Sequence, residues 1–301
     1  MEDHDVDRCR SLTRRAFLRR SLAGASLGVC DAVRRVGANE EDGRPRVRIG
    51  LVTDLHYADK PAAGTRHYRE TPAKFAEAAR RFREESTDLV VELGDLIDGS
   101  GSPEVEKEYL KRIVKDFAAI PRRHRYVLGN HCVGTLTKPE FLGLVGQERS
   151  YDSFDLNGTH FIALDACFRG DGQPYGRKNF DWKDSLLAPA EVEWLRDDLR
   201  KTPHKTVVFI HQRLDAAPPH GVKNAPEVRK ILEESRKVLL VLQGHSHQND
   251  HKHLGGIHYV TLAAMVEGTG QENNAYALLD LLPGDAIRIR GFRRQKSYGP
   301  W

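Results

Sequence analysis

Short apolar runs alternate along this chain with stretches of helical period, and five of the runs stop at a polar turn bearing Asp, His or Asn. Residues 47–52 lead into Asp54-Leu55-His56, and residues 89–93 into Gly94-Asp95-Leu96-Ile97-Asp98. Residues 126–128 lead into Gly129-Asn130-His131. Residues 207–210 end at His211, and residues 238–242 end in Gly244-His245-Ser246-His247. Further runs at 161–164, 258–262, 275–279 and 287–289 share the length and β-branched or apolar composition of strands.

The intervening segments predict helices. Phe75, Ala79 and Phe82 share a face after Thr71-Pro72, as do Leu110, Val114 and Phe117 after Ser102-Pro103, and Val192, Leu195 and Leu199 after Pro189. Strands alternating with helices predict an α/β architecture. Residues 168–188 and 214–224 have no period and read as surface loops.

In α/β sheets, ligands collect beyond the carboxyl ends of the strands, so the five turns are predicted to converge. Asp-x-His or Gly-His-x-His alone is a weak signal, because short motifs recur by chance. Five such turns in one order, each after a strand, are far more specific. Carboxylate oxygens mixed with imidazole nitrogens suit Mn, Fe or Zn rather than calcium. A pair of cations needs a shared ligand, which an aspartate can provide.

The order Asp-x-His, Gly-Asp-x-x-Asp, Gly-Asn-His, His, Gly-His-x-His resembles that of the calcineurin-like metallophosphoesterases, over about residues 47 to 292. The resemblance implies an α/β fold of two β-sheets in a sandwich flanked by helices, with two divalent or mixed-valence metal ions (Mn, Fe or Zn) at the sheet ends. It assigns Asp54, His56, Asp95 and His247 to one metal. Asp95 bridges to the second, which Asn130, His211 and His245 complete. It implies a phosphoester hydrolase in which a metal-bound hydroxide attacks phosphorus and His131 protonates the leaving oxygen. Asp98 is expected to orient a ligand or the loop. The family usually has Asp or Glu after Gly-Asn-His, and this chain has Cys132, a weak hydrogen-bonding partner for an imidazole. Either another carboxylate orients His131 instead, with Asp165 at another strand end a candidate, or His131 is a weaker acid.

Gly64-Thr65-Arg66-His67-Tyr68-Arg69, residues 92–99 and Ile257-His258-Tyr259-Val260 are similar to segments of the manganese-dependent ADP-ribose/CDP-alcohol diphosphatases, near the class III cyclic-nucleotide phosphodiesterases. That branch typically has Gln where this chain has His56. The expected substrate is a small phosphodiester or nucleotide diphosphate ester, with Arg66 and Arg69 candidates to clamp a second phosphate. A cyclic nucleotide and a phosphomonoester are the alternatives. A non-catalytic scaffold is the rival outside the enzymes, and such domains usually lose metal ligands that this chain keeps.

Residues 1–38 read as an export signal: Thr13-Arg14-Arg15-Ala16-Phe17-Leu18-Arg19 is a twin-arginine pattern before a short apolar run. Residues 39–45 read as a linker and 46–301 as the catalytic domain. The expected location is extracytoplasmic, with no transmembrane span in the mature chain and no lipid anchor at Cys30. Residues 39–301 carry 39 Lys and Arg against 38 Asp and Glu, a net +1, so no nucleic-acid polymer is expected as partner. Cys132 and Cys167 could pair after export, but spacing alone leaves that open. His251 and His253 form a second His-x-His that reads as a solvated loop. His220 and His258 have no motif context, and Trp182 reads as a packing residue or, less readily, a stacking platform.

Overall fold

Val47, Ile49 and Leu51 alternate with Gly50 and Val52 along β1 (Val47–Val52), and nearly the whole strand is buried. A strand covered on both faces belongs inside a layered α/β structure. The computed structural model describes residues 44–301 and has that architecture. The expected export signal and most of the expected linker lie outside the described residues. No helix among the described residues is long and apolar enough to cross a membrane.

The strands β2 (Leu89–Glu92) and β3 (Arg123–Tyr126) run parallel to β1, β10 (Ala275–Leu281) lies antiparallel on its other side, and β11 (Ile287–Arg293) pairs antiparallel with β10. These five form one sheet, in the order β11-β10-β1-β2-β3. The second sheet uses β4 (Asp152–Leu156), β5 (Thr159–Ala163), β6 (Lys205–Phe209), β7 (Val238–Gln243), β8 (Asp250–Leu254) and β9 (Ile257–Thr261). Its order is β4-β5-β6-β7-β9-β8, parallel from β5 to β9 and antiparallel at both edges.

Three apolar layers hold this together. Ile49, Leu51 and Val91 meet Phe161, Val207, Phe209 and Leu242 between the sheets. Val52 and Val90, on the outer face of the first sheet, pack with Phe75, Phe82, Leu110 and Phe117 of α1 (Thr71–Glu84) and α2 (Pro103–Ala118). A shorter helix, α3 (Lys138–Val145), follows the third motif. Ile162, Val208 and Val241 pack with Val192, Leu195, Val228 and Leu232 of α4 (Pro189–Lys201) and α5 (Ala225–Ser235). Each of these five helices carries a proline in its first turn, where no intrahelical N–H is needed. The result is the expected sandwich of two sheets between helices.

Several elements differ from the sequence expectation. Strands β4 and β8 were not expected, since DSFDL and DHKHL are polar; both are edge strands, where an apolar run is not required. The third strand is Arg123–Tyr126 rather than 126–128, for the same reason: β3 is the edge of its sheet. Residues 168–188 have no regular element, but they are not simply a surface loop. Tyr175 and Leu187 are buried, and the Tyr175 hydroxyl donates to the carbonyls of Asp181 and Asp184.

Candidate metal centre

The carboxyl ends of β1, β2, β3, β6 and β7 deliver Asp54, Asp95, Asn130, His211 and His245 to one place, and the backbone is bent to do so. Asp54, His56, Asp95, His245 and His247 all have positive φ, between 46° and 70°. A left-handed conformation costs a residue with a Cβ about 1–2 kcal/mol, and such strain collects where the surrounding fold enforces it. Two motif glycines make room for the carboxylates. A Cβ on Gly129 would lie 2.2 Å from Asp95 Oδ1, and one on Gly244 would lie 2.6 Å from Asp54 Oδ2.

Each of three histidines is tied at its outer nitrogen. His211 Nδ1 donates to the Leu93 carbonyl at 2.8 Å, His56 Nδ1 lies 3.0 Å from Asp98 Oδ1, and His247 Nδ1 lies 2.6 Å from Glu267 Oε1. An acceptor at Nδ1 fixes a proton there and turns Nε2 inward, so that Nε2 is the nitrogen a cation would take once any proton on it is displaced. His56 Nε2 and His247 Nε2 come within 3.1 Å of each other, with Asp54 Oδ1 at 3.6 and 3.3 Å from them. Asp95 Oδ2 lies 3.6 Å from His56 Nε2 and 3.1 Å from His211 Nε2, so one oxygen faces both groups of donors.

Four buried atoms here have no hydrogen bond: Asp54 Oδ1, Asn130 Oδ1, His211 Nε2 and His245 Nε2. A buried polar atom left unpaired is costly and rare. Donors about 2.0–2.2 Å from a shared cation stand roughly 3–3.5 Å from one another, close to the separations seen. The donor set therefore fits two cations, one near Asp54, His56 and His247, the other near Asp95, His211 and His245, with Asn130 Oδ1 beside them.

Electrostatics follow the same division. Burial raises the Asp54 carboxyl, but His247 and His211 outweigh that and hold it well below the usual range. Burial lowers His211 and His247, yet the facing aspartates push each up to about 9. His245, deeply buried and beside His211, is pushed down to about 3.

His131 stands above this floor, with Nδ1 2.8 Å from Asp98 Oδ1. The same oxygen serves His56, and Lys60 reaches the other oxygen of Asp98. Asp98 is thus the carboxylate behind His131, and the expectation for Asp165 changes. Asp165 is fully buried elsewhere, taking the Lys138 ammonium at 2.5 Å and the Cys167 amide at 2.9 Å. Cys132 turns its thiol into the apolar cluster beneath α1 and α2, where burial pushes its pKa well up. Cys132 and Cys167 are both free thiols.

The arginine pair also divides. Arg66 joins His131, Trp182 and His220 around a cavity of about 160 Å³ whose floor includes Asp95, His245 and His247. Its guanidinium lies 4.0 Å from Asp98 Oδ1. Arg69 pairs with Asp59 at 2.6 Å and lines a different groove, with Phe75 and Arg112. It is therefore not part of a phosphate clamp at this centre. His220 and Trp182 come from the two aperiodic loops, their rings 5.7 and 6.0 Å from that of His245. Glu267 and His220 were not singled out in the sequence, since neither sits in a motif. Glu267 is nonetheless fixed twice, by His247 and by the backbone bridge from its own position to Arg66.

A family model described as calcineurin-like phosphoesterase matches residues 47–249. A 3',5'-cyclic-nucleotide phosphodiesterase of Nostoc sp. is 24% identical over 271 residues, 85% of this chain and 90% of that protein. A manganese-dependent ADP-ribose/CDP-alcohol diphosphatase of Danio rerio is 23% identical, across 77% of this chain and 91% of the relative. The crystal structure of a dimetal phosphatase from Danio rerio superposes with a TM-score of 0.74 at 20% identity, covering 85% of this chain and all of that one.

Proposed function

The chain belongs to the calcineurin-like phosphoesterase family and is a metal-dependent phosphoester hydrolase, and on that premise we propose that it cleaves a small phosphodiester or nucleotide diphosphate ester at a two-cation centre. Asp54, His56, Asp95 and His247 hold one cation; Asp95, Asn130, His211 and His245 hold the other. The observation that carries this is the set of four buried, unbonded donor atoms turned inward among histidines tied at their outer nitrogens. Manganese, iron and zinc all suit the mixed oxygen and nitrogen set.

When bound, the cations supply Lewis acidity and an activated water. The chain's own residues do the rest. His131 has Nδ1 engaged by Asp98, so the proton it can hand on sits at Nε2, at the cavity rim. As the ester P–O bond breaks, that proton passes from His131 to the leaving oxygen, the nucleophile being the hydroxide that the cations would supply. Asp98 keeps the ring in place and stabilises its charged form; burial lowers the His131 pKa, but Asp95 and Asp98 raise it overall.

Arg66 and Trp182 favour a diphosphate within this class. Arg66 has a guanidinium on the rim available to a second phosphate, and Trp182 presents a partly exposed ring for a base or sugar. The test is a panel of ADP-ribose, a CDP-alcohol, cyclic AMP and a nitrophenyl monoester, each with Mn2+, Fe2+ and Zn2+. The diphosphates are expected to give the highest kcat/KM. Cyclic AMP or the monoester ahead of both diphosphates would overturn the substrate assignment and leave the hydrolase intact.

A further inference from the structure

The metal centre uses one His-x-His and leaves the other, His251 and His253, without a role. The structure places that pair on β8, an edge strand, rather than in a solvated loop. Residues two apart on a strand share a face, and the antiparallel register sets His258 of β9 opposite His253. Three imidazoles therefore stand together on one side of the hairpin. His251 Nε2 lies 3.0 Å from His258 Nδ1, and the rings of His253 and His258 stack at 4.4 Å. Trp301 stacks on His258 at 3.9 Å and on His251 at 4.8 Å. Asp250, the neighbouring carboxylate, is taken up by Arg213.

Two imidazole nitrogens 3 Å apart need a Lewis acid between them, since two lone pairs repel. A proton meets that need, and so does a metal ion with nitrogen ligands at about 2.0–2.1 Å. The catalytic centre shows the same spacing where His56 Nε2 faces His247 Nε2 at 3.1 Å. Burial and the neighbouring histidines push His258 down to about 4 and lower His251, so both are neutral, with lone pairs to offer, at neutral pH. We propose that His251 and His258, with His253 swinging in as a third ligand, form a surface site for one borderline transition-metal ion, of the Zn2+, Ni2+ or Cu2+ class. An all-imidazole set discriminates against Mg2+, Ca2+ and Mn2+, which prefer oxygen. The bound ion would cross-link the edge strand β8 to β9.

Full-length protein loaded with Mn2+ is dialysed against Zn2+, and bound zinc and manganese are measured for wild type, His251→Gln and His258→Gln. Wild type is expected to hold one more metal ion per chain than either variant, with phosphoesterase activity unchanged. That difference of one ion stands whatever the catalytic centre itself binds. Because His258 packs under Trp301, the exposed His253→Gln is the second variant; it should weaken the extra zinc about tenfold or more, at unchanged activity. Equal metal content in wild type and all three variants overturns the proposal.

Discussion

Asp98 Oδ1 lies 2.8 Å from His131 Nδ1, so the carboxylate behind the candidate acid comes from the loop after β2 rather than from the residue next to the histidine. Residue 132, where relatives are expected to carry Asp or Glu, is a thiol facing the core. His131 keeps its partner because a second strand end supplies it. Asp98→Asn, assayed at saturating metal, should therefore lower kcat on esters with poor leaving groups by about tenfold or more, and much less on nitrophenyl esters. Cys132→Asp should not repair or improve anything. It buries an unpaired charge near Glu92 and Asp95, costing roughly 3–5 kcal/mol of stability. A faster Cys132→Asp enzyme with normal stability would contradict this placement.

Glu267 anchors His247 at 2.6 Å and is held down to about 2 chiefly by that bond. Removing the partner that orients a ligand typically costs 10–100-fold in metal affinity. Glu267→Gln should weaken Mn2+ binding by about that factor in a competition titration, with kcat recovering at high Mn2+. Unchanged affinity would mean the bond has no bearing on the centre.

Arg66 and Arg69 should now behave differently. One charge-assisted contact is worth about 1.5–3 kcal/mol, so Arg66→Ala should reduce kcat/KM on a diphosphate by about tenfold or more. Its effect on a nitrophenyl monoester should be small. Arg69→Ala, whose side chain pairs with Asp59, should match wild type on both. Equal effects from the two substitutions would remove Arg66 from the substrate site.

Metal uptake should release protons. His211 and His247 are pushed up to about 9 in the cation-free protein by the facing aspartates, which overcome the opposing effect of burial. At pH 7 both carry a proton that a cation must displace. Apparent affinity therefore rises as pH rises toward about 9 and flattens above it. Calorimetric titrations of Mn2+ at pH 7, in buffers of different ionisation enthalpy, should show net proton release; none at all would count against these two residues as ligands.

The residues that converge on the candidate centre were legible because such chemistry demands particular side chains at strand ends, and β1, β2, β6 and β7 are buried enough to announce themselves as apolar runs. The expected convergence of the turns is what the structure shows. The edge strands β4 and β8 were hidden by their polarity, and α3 by its shortness. α5 did carry a readable signal, a first-turn proline with Val228, Ile231 and Leu232 at helical spacing. Relationships between distant residues were out of reach. Nothing local points Asp98 at His131 or Glu267 at His247, and nothing local separates Arg66 from Arg69.

The shared carboxylate is the centre of the account, because Asp95 Oδ2 is the oxygen that faces both groups of donors. Elemental analysis of Mn2+-loaded wild type, Asp95→Asn and His131→Ala tests it most directly. Wild type should hold two Mn2+ per chain, and Asp95→Asn should lose metal from both positions and lose activity. His131→Ala should keep two Mn2+ while turnover falls. Two Mn2+ retained in Asp95→Asn, or an emptied centre in His131→Ala, would contradict the assignment.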